Sequence, residues 1–250
     1  MSSTHAIIRS GGARGCDRQL NIDRVAGAFL VGLPVAFNTF FFLLGRLFAY
    51  PSVLRSPVRT ILSRFQAGGV RLKLIWYGFM LTAVLLAPLA VLLGQVLARD
   101  DLAVVPVMTT VGVLAAVVQF LGLARWPFLV PALARTYQDP DSSETTREAT
   151  AVIFDALHRY LGVAIGECLG YLFTGAWTIL VGAAMLQSST FEPWLAWPGI
   201  AIGLFLVIGS LEFVGPFQEK GWKLAGTIVP IAYTAWSAWL IAAGIVLLTE

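Results

Sequence analysis

RYLGVAIGECLGYLFTGAWTILVGAAM, residues 159–185, is the stretch on which the reading of this chain turns. It is long and apolar enough to cross a bilayer, yet it carries a carboxylate, Glu167, in its first half. At about 100° per residue, Tyr160, Ala164, Glu167, Tyr171, Thr174 and Thr178 fall within about 40° of one line, a mostly polar stripe. Gly162, Gly166 and Gly170 recur every four residues on a different face, where another helix can approach closely. The spacing thus predicts one helix with a polar side and a packing side, and the other membrane segments gather around it.

Composition agrees. Of 250 residues, 58% are hydrophobic and only 12% charged, and the mean hydropathy is +0.79. A soluble domain carries roughly 25% charged residues, so the balance is that of a polytopic membrane protein. The net charge of +3 comes from basic loops, which report topology and anionic headgroups and give no reason to invoke nucleic acid. Cys16 and Cys168 are too far apart in setting to imply a disulfide. With only His5 and His158, bis-histidine haem and multi-histidine metal sites are excluded, and no cofactor is expected.

Outward from the central stretch, residues 1–24 read as a flexible basic tail without a cleavable leader. Residues 25–250 read as a single membrane domain. Its spans are expected at 25–44, 75–97, 102–124, 159–185, 194–214 and 224–248, about 30–40 Å of helix each at ~1.5 Å per residue. Between the first two, residues 48–71 put Leu54, Val58, Ile61, Leu62 and Phe65 on one face and Arg55, Arg59 and Arg64 mostly off it. That pattern suits an amphipathic helix in the interface or one packed on the bundle. ARWPFLVPALARTY, residues 124–137, should leave the bilayer through the interface, and Thr145 with Glu148 matches a capping box. Trp76, Trp126, Trp194, Trp197 and Trp222 fall near span ends, as an interfacial belt requires. Gly199 and Gly203 are spaced for close packing in the fifth span. The fold class is all-α: six transmembrane helices with one or two short amphipathic interfacial helices, in the cell membrane. The two halves show no internal repeat.

Six spans put both termini on one side with five Lys/Arg, against twelve on the other. The positive-inside rule then places both termini outside the cytoplasm, although the arginines before the first span pull the other way.

Four segments resemble a family of bacterial integral membrane proteins known as a domain of unknown function: PSVLRSPVRTILSRFQAGG, LARWPFLVPALARTYQDP, FDALHRYLGVAIGECLGYLFTGAWTILVGAAML and GSLEF. The resemblance runs from Tyr50 to the end of the chain. It implies a compact helical membrane domain and brings no catalytic residue with it.

The polar residues within the spans cluster in depth. Asn38, Gln119, Arg125, Glu167, Tyr171, Glu212 and Tyr233 all fall toward the side bearing the basic loops. A charged residue at the centre of a membrane helix costs roughly 2.5–3.5 kcal/mol on insertion scales, so Glu167 should face the bundle interior or water. Two readings follow. In one, these groups line a pocket that binds or passes a small solute or proton. In the other, they are interhelical glue, Glu167 bonded to Tyr171 or Asn38 and Glu212 paired with Arg125 or Lys220, in a structural or regulatory protein that docks another membrane subunit or its own copy. Enzyme readings fare worse. Asp155, His158 and Arg159 read as a solvated cluster, and His158 stands about 180° around an α-helix from Glu167. The chain contains no GxSxG elbow, HExxH or Walker loop.

Overall fold

Long apolar runs can satisfy their backbone in lipid only as helices, and this chain forms helices throughout. The computed structural model describes residues 4–249, with side-chain surroundings from residue 19 onward. Among the described residues there is no strand. The helices are α1 (Thr4–Phe48), α2 (Val58–Ala67), α3 (Gly69–Leu97), α4 (Val105–Phe128), α5 (Val130–Gln138), α6 (Glu144–Leu157), a π-helix (His158–Leu169), α7 (Gly170–Met185), α8 (Pro193–Gly209) and α9 (Lys223–Thr249). Residues 19–24, read from sequence as the end of the tail, continue α1; residues 1–3 and the side chains of 4–18, Cys16 included, lie outside the described residues.

Five helical stretches are long and apolar enough to cross a membrane: Gln19–Phe48, Gly69–Asp100, Val105–Gln138, Glu144–Met185 and Lys223–Thr249. Pro193–Gly209 is apolar but shorter. This is the architecture of a multi-pass membrane protein.

The long helices close a ring. α1 packs between α3 and α9, α3 continues to α4, α4 to α7, α7 to α8, and α8 returns to α9. Small residues set the closest approaches. A Cβ on Gly203 would lie 2.6 Å from Gly175 O of α7, so no larger residue fits between α7 and α8 as they stand. Gly199 instead makes room for the Trp239 indole, which donates from Nε1 to Leu195 O at 2.8 Å.

Two cores divide the ring in depth. One, at the end holding the turn after α3, joins Leu30, Leu93, Met108, Trp177 and Leu240. That end is also tied across by polar contacts. Arg99 reaches both carboxylate oxygens of Asp23, at 2.7 and 2.9 Å, and Asp100 accepts from Ser189 Oγ at 2.7 Å. The other core, at the basic-loop end, gathers Phe48, Ile61, Phe65, Trp76, Trp126 and Phe154.

Several expectations are corrected here. Trp76 and Trp126 do not belong to an interfacial belt: both are fully buried and stack on each other at 4.4 Å and 9°. The shorter helices between the long ones fold over them, α2 burying Ile61, Leu62 and Phe65 while packing on α5. The apolar face of α2 is therefore used on protein. Trp194 and Trp197, by contrast, are exposed, as residues facing an interface would be. The cap of α6 is Ser143, whose Oγ accepts from Thr146 N at 3.1 Å, two residues ahead of the expected Thr145–Glu148 box. α8 stops at Gly209, so Glu212 stands in the following turn and not within a span.

Candidate functional site

The central stretch does not wind as an α-helix from its start. From His158 to Leu169 it is a π-helix, and Gly170 N still donates to Ile165 O five residues back. A π-helix takes about 4.4 residues per turn, about 82° per residue, and such segments often mark functional sites. The difference rearranges the faces. On an α-helix Glu167 would point about 140° away from Gly162; on the π-helix the angle falls to about 50°. His158 and Glu167, nine residues apart, become nearly eclipsed instead of opposed. The polar and glycine faces expected to be separate therefore merge, and Tyr160 and Ala164, placed on the polar stripe by α-helical spacing, turn outward and are exposed.

What packs into the wide turns explains the winding. Arg125 of α4 is buried, and its Nη1 donates to Gly122 O, a turn back on its own helix. A Cβ on Gly162 would stand 2.6 Å from Arg125 Nη2, so the guanidinium as placed occupies the space this glycine leaves. The same cation lies 5.3 Å from the centre of the Trp126 ring and 3.5 Å, through Nη2, from His158 Nδ1. One step deeper, Gly122 and Gly166 bring α4 and the π-helix into backbone contact; a Cβ on Gly122 would meet Gly166 Cα at 2.5 Å.

Below this contact is a cavity of about 220 Å³ between the two cores. α1 contributes Phe37, Asn38 and Phe41, and α3 contributes Phe79. α4 supplies Gln119, Arg125 and Trp126, the π-helix supplies Gly162, Gly166 and Glu167, and α7 supplies Tyr171. Tyr233 and Thr234 of α9 complete the wall, with Tyr50 and Pro51 above them. Tyr50 arrives from a chain reversal after α1, where Ala49 takes a positive φ of 56° and Tyr50 N donates back to Leu44 O.

Six of the seven polar residues singled out from sequence thus line one cavity. Glu212 does not; it pairs with Arg55 at 3.7 Å, and neither Arg125 nor Lys220 is its partner. Asn38 donates to Pro34 O at 2.8 Å and to Ser237 Oγ at 2.9 Å, joining α1 to α9. Gln119 donates to Thr174 Oγ1 at 2.6 Å, joining α4 to α7. Glu167 has no hydrogen bond to Tyr171 or Asn38, and among the described residues it forms no ion pair within 4.0 Å. The cluster of Asp155, His158 and Arg159 also divides. Asp155 and Arg159 pair at 3.8 Å on the exposed side, while His158 turns inward to Arg125. Among the glycines, Gly162 and Gly166 carry the contacts above, and a Cβ on Gly170 would meet Gln119 Cγ at 3.2 Å.

Sequence reasoning found Tyr171 and Tyr233 but missed Phe37, Phe41, Tyr50 and Phe79 of the aromatic walls, and Gly122. Phe37, Tyr233 and Tyr171 form a chain of rings with centroids 6.0 and 5.5 Å apart, and Tyr50 stands edge-on to Trp76 at 5.2 Å. Single aromatic residues in apolar spans carry no mark that distinguishes a cavity wall from a lipid contact. The glue that does exist gives a measurable handle. Asn38→Ala should lower stability by about 0.6–1.7 kcal/mol, the range of interhelical bonds in membrane helices, read as a lower melting temperature in detergent.

An all-helical multi-pass membrane protein with a charged, aromatic-walled cavity inside its helix ring is the class that fold and geometry define. The chain belongs to the family described as Domain of unknown function (DUF4386), whose profile matches residues 25–244 and so covers every residue lining the cavity. Neither the comparison with curated proteins nor that with solved structures gave a match.

Proposed function

We propose that this protein crosses the membrane six times, with α8 as the fifth crossing, and binds or passes a small solute through the cavity around Glu167. α8, at about 25 Å, is near the lower limit for a span. The observation that supports solute binding is the state of Glu167. Its carboxylate lines a cavity and lacks a protein partner among the described residues, whereas the neighbouring amides of Asn38 and Gln119 are satisfied by protein. A group kept only as structural glue would be expected to have its bonds made internally. The cavity walls are largely apolar with a few convergent polar groups, the usual make-up of a small-molecule site. No feature of the site calls for covalent chemistry, and we read the protein as a binder or conductor and not as an enzyme.

Native mass spectrometry of the full chain purified in mild detergent tests this reading. A small molecule retained by the parent and lost from Glu167→Gln is expected; identical spectra free of any bound solute would favour a purely structural role in docking another subunit.

On orientation, the basic loops at α2, at α5–α6 and before α9 support placing both termini outside the cytoplasm. A tag after Glu250 should react with an impermeant reagent in intact cells, and reaction only after permeabilisation would reverse the assignment.

A further inference from the structure

The cavity brings together an acidic and a basic side chain that make no direct contact with each other. Glu167 and Arg125 both line it, yet no ion pair within 4.0 Å joins them. Arg125 gives one N–H to Gly122 O, and its Nε is buried without a partner. Water could bridge the gap, but a ligand that carries both complementary charges would satisfy the two side chains at once. The rings of Phe37, Tyr171 and Tyr233 line the same cavity and suit an apolar or aromatic body.

Resting on the reading of the cavity as a solute site, we propose that its ligand is a small zwitterion. Its acid group lies toward Arg125, its ammonium toward Glu167, and its apolar body against the rings. A lone organic cation would find the carboxylate and the ring faces but would also meet the guanidinium; a lone anion would meet the carboxylate. Of the three charged forms, the zwitterion alone offers a complement to both side chains. The volume, about 220 Å³, admits a body the size of an amino acid. The same pair of charges occurs on a free amphoteric solute and on the headgroup of phosphatidylethanolamine.

Three matched probes separate the charges: L-phenylalanine, phenethylamine, which lacks the acid, and 3-phenylpropionate, which lacks the amine. Titrated calorimetrically into the full chain in detergent, phenylalanine should bind about tenfold or more tightly than either of the others, the scale of one charge-assisted hydrogen bond. In Glu167→Gln its affinity should fall to that of 3-phenylpropionate. In Arg125→Lys, which keeps the charge but loses the fork, the fall should be smaller, and gel filtration verifies that both variants are folded. If the lipid headgroup is the source, phenylalanine will be inert, and mass spectra from phosphatidylethanolamine nanodiscs will show that lipid on the parent but not on Glu167→Gln. Equal or tighter binding of phenethylamine or 3-phenylpropionate overturns the zwitterion while leaving a solute site in place. Absence of binding by all three probes together with absence of the lipid also overturns it. The solute site itself fails only if native spectra of the parent are empty as well.

Discussion

Gly122→Leu is expected to abolish accumulation of the folded protein. The α4–π-helix contact leaves no room beside this residue: a Cβ would meet Gly166 Cα at 2.5 Å and Leu161 O at 3.0 Å, both backbone atoms that cannot rotate away. Even Gly122→Ala should cost about 1–3 kcal/mol, the usual range for overpacking. The opposite side of the same contact is more forgiving, since a Cβ on Gly166 would stand 3.1 Å from Gly122 Cα and 3.2 Å from Leu161 O. The ranking is therefore specific: Gly122→Ala should melt lower in detergent than Gly166→Ala, and Gly166→Leu should still disrupt folding. Wild-type accumulation of Gly122→Leu would mean that α4 and the π-helix do not meet here.

The second large effect is expected from Glu167→Gln, and it is an effect on binding. The amide keeps the shape of the carboxylate and deletes its charge. Because no protein group bonds that carboxylate among the described residues, the folded state should change by less than about 1 kcal/mol, seen as a nearly unchanged melting temperature. A ligand bonded to it should lose about 1.5–3 kcal/mol, roughly ten- to a hundredfold in affinity. Glu212→Gln should leave binding unchanged, since Glu212 is held by Arg55 outside the cavity. A Glu167→Gln protein that melts like the parent and retains every ligand equally well would remove the carboxylate from the site. Loss of stability without any ligand to lose would instead return Glu167 to the role of glue.

The helices were legible because hydrophobic length is a local property. Residues 25–44, 75–97 and 224–248 each hold enough apolar surface to form a span whatever surrounds them, and they lie inside α1, α3 and α9. The basic loop at Arg55, Arg59 and Arg64 was readable for the same reason, as charge cannot hide in an apolar window. The depth of the polar residues also followed from counting along helices, which is why Asn38, Gln119, Arg125, Glu167, Tyr171 and Tyr233 meet around one cavity.

The faces were another matter. Predicting which way Tyr160, Ala164 and Glu167 point requires the winding of the helix, and α-helical spacing was the wrong ruler for 158–169. The wider turn depends on Arg125 lodging against Gly162 and on Gly122 touching Gly166, partners more than 30 residues away in sequence. Glu212 was misplaced for a related reason: apolar residues continue past Gly209, but the chain turns there. Trp76 and Trp126 near span ends read as interfacial until α2 and α5 cover them, a burial that no local pattern encodes. Sequence by itself thus determined an all-helical membrane protein with a carboxylate in its interior, because insertion into lipid depends on composition and length. Only the tertiary structure decided that this carboxylate shares an aromatic cavity with Arg125 and lacks a protein partner among the described residues, because helix winding, close glycine contacts and wall-forming rings are set by neighbours that meet only when the ring closes.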